Sequence, residues 1–198
     1  MSSTEDIWAA AQNGNVARLS GLIAAKATID TKDQHGWTPL HKAAREGHSD
    51  AVQVLIDAKA ALDVRDQGDR SPLHWAAVNG HGGTVKVLID AKANVDISNQ
   101  SGYTPLHFAA LYGHRGAAQV LIDAKAPVNL KNVAGETALH CCAFDGFINI
   151  VRMLIASSAD VTLRNAKGET ALELAENGGD SETIDLLRAH EAESTAGR

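Results

Sequence analysis

Apolar and polar positions follow a pattern along this chain that itself repeats. Ala-rich stretches such as Leu40-His41-Lys42-Ala43-Ala44 are each followed by a stretch with apolar residues at helical spacing, as in Val52, Leu55, Ile56 and Val85, Leu88, Ile89. A polar tip such as Asp33-Gln34-His35-Gly36 precedes each pair. The pattern predicts pairs of short helices separated by turns. Neither helix of a pair can bury its apolar stripe alone. Stacking like units side by side makes one continuous core, so the chain is expected to fold as a quasi-one-dimensional array.

The repeat is regular. TPLHKAAREGH, SPLHWAAVNGH, TPLHFAALYGH and TALHCCAFDGF begin at Thr38, Ser71, Thr104 and Thr137, each 33 residues after the last, and TALELAENGGD follows from Thr170. LIDAKA recurs at the same interval from Leu55, Leu88 and Leu121 and degrades to LIASSA at Leu154. The units expected are a degenerate opening unit at 1–32, clear repeats at 33–65, 66–98, 99–131 and 132–164, a terminal variant at 165–190 and a disordered tail at 191–198. Within a unit, Gly36, Gly102, Gly135 and Gly168 hold a turn position that calls for positive φ. In the second unit Gly68 comes one place early and Asp69 takes the turn. A Thr or Ser N-cap before Pro39, Pro72 and Pro105 starts the first helix, which ends near Gly47, Gly80, Gly113 and Gly146.

The 33-residue period with T-P-L-H-x-A-A and G-H resembles the ankyrin repeat family, closely over 33–164 and loosely in the flanking units. The resemblance implies an all-α solenoid of stacked antiparallel helix pairs with projecting β-hairpin-like loops. It also implies a curved stack whose concave side is lined by loop tips and first helices, where family members bind other proteins. In the family the histidine of T-P-L-H hydrogen-bonds backbone and neighbouring loops, a structural role implied here for His41, His74, His107 and His140. One departure stands out. The family usually places glycine after the second helix, where this chain has Lys26, Lys59, Lys92, Lys125 and Ser158. If the place keeps left-handed geometry, each lysine costs roughly 1 kcal/mol against glycine, and a cation at a helix C-terminus recovers part of that. Duplication of one ancestral unit and a functional lysine row both account for it. Asn129, in PVNL, holds a loop place where many ankyrin repeats carry an asparagine that an asparaginyl hydroxylase can modify. The match is partial, and the reading preferred is a structural polar loop residue.

Composition narrows the function. Of 198 residues 44% are hydrophobic but only 4% aromatic, so the core must be aliphatic. A net charge of −6 argues against a sequence-independent grip on nucleic acid. No apolar run approaches the roughly 20 residues of a membrane span, and MSSTEDIWAAA shows no secretory signal. Cys141 and Cys142 are sequence neighbours, which suits a reducing compartment. A cytoplasmic or nuclear location is expected.

Candidate chemistry is sparse. Nine histidines fall mostly into two ladders, His41, His74, His107, His140 and His48, His81, His114, spread one per repeat, whereas metal ligands must converge. No nucleophile elbow, phosphate loop or dinucleotide fingerprint occurs. Cys142 is expected to be buried and inert. Cys141, nearer the groove, is the accessible thiol, without a basic neighbour to lower its pKa. No catalytic residue, cofactor or metal is expected, and the protein is read as a non-enzyme.

In-phase positions that stay constant serve the fold, whereas those that vary are free to serve a partner. The variable places hold Trp37, Arg70, Trp75, Val78, Tyr103, Phe108, Leu111, Tyr112 and Phe144, and with them six of the eight aromatics. They are expected to form an aromatic, apolar stripe on the concave side that binds another protein. Basic residues precede four of the five tips, at Lys32, Arg65, Lys131 and Arg164 but not Ser98, and predict a positive edge suited to a partner with apolar anchors and some acidic character. Trp8, Glu173 and Glu176 replace family residues in the end units and read as caps, so the chain is expected to be a whole repeat domain with no room for a catalytic one. The function expected is an adaptor, inhibitor or assembly factor, monomeric alone. The alternative is a structural protein that forms a homodimer through the same stripe.

Overall fold

The computed structural model describes residues 3–196, with side chains from 7 to 194. Among these residues there are twelve helices and no strand. They come in pairs: α1 (Ser3–Gln12) and α2 (Val16–Ala24), α3 (Pro39–Glu46) and α4 (Ser49–Asp57), α5 (Pro72–Val78) and α6 (Gly82–Asp90). The series continues with α7 (Pro105–Leu111) and α8 (Arg115–Asp123), α9 (Ala138–Ala143) and α10 (Ile148–Ala156), α11 (Ala171–Gly178) and α12 (Ser181–Ala196). The odd-numbered helices pack neighbour to neighbour in one layer and the even-numbered helices in a second. The fold is the all-α solenoid that the repeat pattern predicts.

The core is built from positions that recur. Leu40, Leu73, Leu106 and Leu139 of the first helices and Leu55, Leu88, Leu121 and Leu154 of the second are at most 1% exposed. Burying each of these side chains is worth roughly 1.5–3 kcal/mol. Alanines at 43, 44, 76, 77, 109 and 110 are fully buried in the first-helix layer, where small side chains allow close packing, and Cys142 takes the same place in the fourth repeat.

Each second helix ends in the same way. The N–H of Lys59 donates to the Ile56 carbonyl and that of Ala60 to the Leu55 carbonyl, a Schellman motif with the lysine at φ 70°. Lys26, Lys92, Lys125 and Ser158 repeat it at φ 62°, 77°, 65° and 66°. The left-handed place where glycine is usual is thus kept with side chains that resist it. Asp69, at φ 58°, likewise holds the turn that glycine holds in the other loops.

The ends differ from the middle. Trp8 stands at the ladder-histidine place and its indole N–H donates to the Thr31 carbonyl at 3.1 Å. Glu173 stands there in the last unit and accepts the Thr170 N–H at 2.8 Å, a capping box built with a carboxylate. The tail expected to be disordered from 191 is instead helical through Ala196, as the end of α12. Glu191, Ala192 and Glu193 are good helix formers, and His190 Nδ1 lies 3.4 Å from Glu193 Oε2 one turn on. Residues 197 and 198 lie outside the described residues.

Candidate functional site

The loops and first helices are positioned by side chains that bond along the array. Asp33, Asp66, Asn99, Asn132 and Asn165 recur at the loop start, and each Oδ1 accepts the backbone N–H four residues on at 2.9 Å. This Asx geometry closes the turn without a strand. Each ladder histidine then fixes the next helix. Nδ1 of His41, His74, His107 and His140 accepts the N-cap N–H three residues back at 3.0–3.2 Å. Because Nδ1 accepts, the proton sits on Nε2, which donates to the carbonyls of Arg70, Tyr103, Glu136 and Glu169 in the following loop. Burial lowers the pKa of all four imidazoles, to about 4 for His41 and His74.

The second ladder points the other way. Nε2 of His48, His81 and His114 bonds the carbonyls of Gln12, Arg45 and Val78 in the preceding unit, at 2.9–3.0 Å. Their rings lie against the glycine that ends the previous first helix: a Cβ on Gly80 would sit 2.5 Å from His114 Nδ1. Among the described residues no three His, Cys, Asp or Glu side chains converge as a metal site.

The basic row before the tips is tied into the stack rather than offered at its edge. Lys32 Nζ, Arg65 Nη1 and Lys131 Nζ donate to the carbonyls of Arg65, Ser98 and Arg164, each 33 residues on, at 2.8–3.0 Å. Asn129 also bridges units. Its Oδ1 accepts the Asp160 N–H at 2.9 Å and its Nδ2 donates to the Ser158 carbonyl at 3.2 Å. Asp30 and Asp63 accept the N–H of Ala61 and Asn94 in the same way.

None of the nine stripe residues is buried, but they do not form one stripe. Trp37, Arg70 and Trp75 line an open groove of about 390 Å³ with Lys42, Arg45 and Asp66. The two indoles lie 4.6 Å apart. The Arg70 guanidinium sits 4.0 Å over the Trp75 ring, and Lys42 Nζ lies 4.8 Å from the Trp37 ring. Beneath them Asp66 Oδ2 accepts Arg70 Nε at 3.2 Å and Trp75 Nε1 at 3.0 Å, and Asp33 Oδ2 meets Lys42 Nζ at 2.9 Å. Burial alone would raise both carboxyls; the hydrogen bonds from backbone, Lys42 and Trp75 outweigh it and hold both below the usual range.

Tyr103, Leu111 and Phe144 line a second groove, of about 410 Å³, with Glu136, Asp145, Lys167 and Glu169. Here the loop asparagines turn their amides outward: Asn132 Nδ2 donates to Glu136 Oε2 at 2.9 Å and Asn165 Nδ2 to Glu169 Oε2 at 3.0 Å. The Tyr103 hydroxyl donates to Glu136 Oε2 at 3.2 Å. Phe108 stacks between Tyr103 and Tyr112, with ring centroids 5.2 and 6.4 Å away. Val78 lines neither groove; its backbone carbonyl serves His114. Cys141 lines the second groove yet is only 7% exposed, so the expected accessibility is corrected: the first-helix layer covers the thiol. Burial, with Glu136 nearby, pushes its pKa up to about 12, and burial raises that of Cys142 as well. A thiolate nucleophile at neutral pH is disfavoured at both.

Lys42, Asp66 and Glu169 contribute to these grooves without having been expected to. One sequence signal could have found the first two. Nine residues after each loop Asx stand Lys42, Trp75, Phe108, Cys141 and Leu174, and the loop residue is Asp only before the two that carry an N–H to satisfy.

The family model described as ankyrin repeats (3 copies) matches residues 7–99, 60–132, 83–165 and 124–197. No curated protein matches the chain.

Proposed function

The chain belongs to the ankyrin-repeat family, whose repeats are in general protein–protein interaction modules, and from that premise we propose that the face shared by its loops and first helices docks a partner protein. One observation carries this reading. Six of eight aromatics gather on that face, none of them buried, with Tyr112 50% and Phe144 52% exposed in a protein otherwise poor in aromatics. Large exposed apolar side chains beside polar rims mark interaction surfaces, and tyrosine and tryptophan are over-represented among residues that dominate binding energy. Internal bonds already fix the loops, so little ordering cost is left for association. The protein acts stoichiometrically as a monomer, and light scattering over a concentration series should give a constant mass. A doubling mass would make the face a homodimer interface instead.

The test is capture of a partner from extracts of the native source by wild type and by Tyr112→Ala/Phe144→Ala. Tyr103 is the poorer choice, because its hydroxyl bonds Glu136 and its ring packs on the core. The double variant should lose roughly 2 kcal/mol of binding, about thirtyfold, with unchanged helicity. Equal capture by both proteins would remove this face from consideration. Among the described residues no helix is long and apolar enough to cross a membrane.

A further inference from the structure

The two grooves on this face carry opposite charge. The first is lined by three cations, Lys42, Arg45 and Arg70, against one carboxylate, Asp66; the second by three carboxylates, Glu136, Asp145 and Glu169, against one cation, Lys167. The inversion is built from below. In the first groove the loop residue is an aspartate, spent on Arg70 and Trp75, so that the cation lies outward over the indole. In the second the loop residue is an asparagine, whose amide hydrogen bonds hold glutamates there.

The charges are not equally available. Lys42 is paired with Asp33 and Arg45 with Glu46 at 3.3 Å. Arg70 commits only Nε, to Asp66, and its two terminal nitrogens have no partner among the described residues. Its guanidinium is thus held by a ring face and a buried carboxylate, with the fork that grips a carboxylate still free. In the second groove Asp145 is exposed and has no hydrogen-bond or ion-pair partner among the described residues, and Glu136 and Glu169 each use only Oε2. Between the two lies the Tyr103–Phe108–Tyr112 stack.

We propose that the occupant is a polypeptide segment with a fixed direction along the array: an aspartate or glutamate on Arg70, an apolar side chain on the aromatic stack, and a lysine or arginine in the second groove. This rests on the docking reading above and adds the partner's chemistry and its polarity. A segment laid the other way would set like charges against both grooves, and such juxtaposition is strongly unfavourable.

A displayed library of random short peptides, selected on the full chain, tests it. Selected peptides should carry an acidic residue toward one end, a basic residue toward the other and an apolar residue between. For such a peptide, Arg70→Gln should weaken binding about tenfold and abolish the preference at the acidic position only. Asp145→Lys, at an exposed site, should relax the preference at the basic position only. Peptides that lose binding to Tyr112→Ala/Phe144→Ala but show no charge order would overturn the polarity while leaving the docking face standing. Peptides indifferent to that double variant would overturn both. Much tighter binding of a synthetic copy of a selected peptide with phosphoserine in place of its acidic residue would overturn the carboxylate.

Discussion

Acidification should destabilise this protein well before its carboxylates titrate, and the ladder histidines supply the reason. His41 and His74 are buried, accept an N–H at Nδ1 and donate from Nε2, so only the neutral ring satisfies both bonds. Their pKa falls from the ordinary 6.5 to about 4. The unfolded chain therefore binds more protons than the folded one between these values, and stability must rise with pH across that window. It is fully present above about 6.5, declines as pH falls toward 4, and has no more to lose from these groups below that. At about pH 5 each histidine has cost about 2 kcal/mol, from 1.36 kcal/mol per unit, and the two together about 4 kcal/mol. His107 and His140 are shifted in the same direction and add to the loss. Asp33 and Asp66 sit below the usual carboxylate range, so their stabilisation persists above the ordinary 3.8 and does not confound the window. Urea unfolding followed by helicity at successive pH values should show the midpoint falling between about pH 7 and about pH 5. Ring-proton shifts should meanwhile keep His41 and His74 neutral in the folded protein at about pH 5. A midpoint flat over that range, falling only below about pH 4, would refute the assignment of neutral, doubly bonded imidazoles.

Four further outcomes follow from the geometry. Lys59→Gly, Lys92→Gly and Lys125→Gly should each raise stability in urea, by up to about 1 kcal/mol, because each relieves a left-handed side chain; a loss would point to a role for the lysine row beyond the backbone. Gly80→Ala should cost at least about 2 kcal/mol, since its Cβ would meet the His114 ring at 2.5 Å and φ is 74°, and a change under about 0.5 kcal/mol would contradict that contact. Asp66→Asn should cost about 2 kcal/mol by turning an amide onto the Arg70 and Trp75 donors, and pairing it with Trp75→Phe should recover part of the loss in a double-mutant cycle; strict additivity would uncouple the pair. Cys141 should react with thiol reagents at neutral pH far more slowly than a model thiol until urea unfolds the chain, and equal rates would put the thiol at the surface.

The repeat pattern is legible because each helix start, turn and cap is a local event. Thr or Ser before proline, glycine or Asp69 in the turn, and a residue forced left-handed after the second helix act within a few residues of one another, so the sequence states them directly. The tail was less legible: EAEST lacks the apolar groups to pack, yet it extends α12 because helix propensity and one-turn pairs act without burial. The stripe was legible as a set of variable positions but not as two grooves. Whether Arg70 or Lys32 faces outward depends on three-dimensional contacts: Lys32 reaches the Arg65 carbonyl one unit on, whereas Arg70 is caught between Asp66 and Trp75 of its own unit. Cys141 was expected to be accessible because it lies on the groove side of the first helix, but at the place that Trp75 and Phe108 hold half-buried in other units its small side chain sinks below the rim.

By itself, then, the sequence determined the helices, the turns, the period and the aliphatic core, because these follow from short-range propensity and from apolar spacing within a unit. Only the stacked structure decided which histidines stay neutral, which cations are tethered and which sign of charge each groove presents. The histidine and tethered-cation bonds join residues 29 and 33 positions apart, each groove is lined from more than one unit, and none of this exists until the array has set its register.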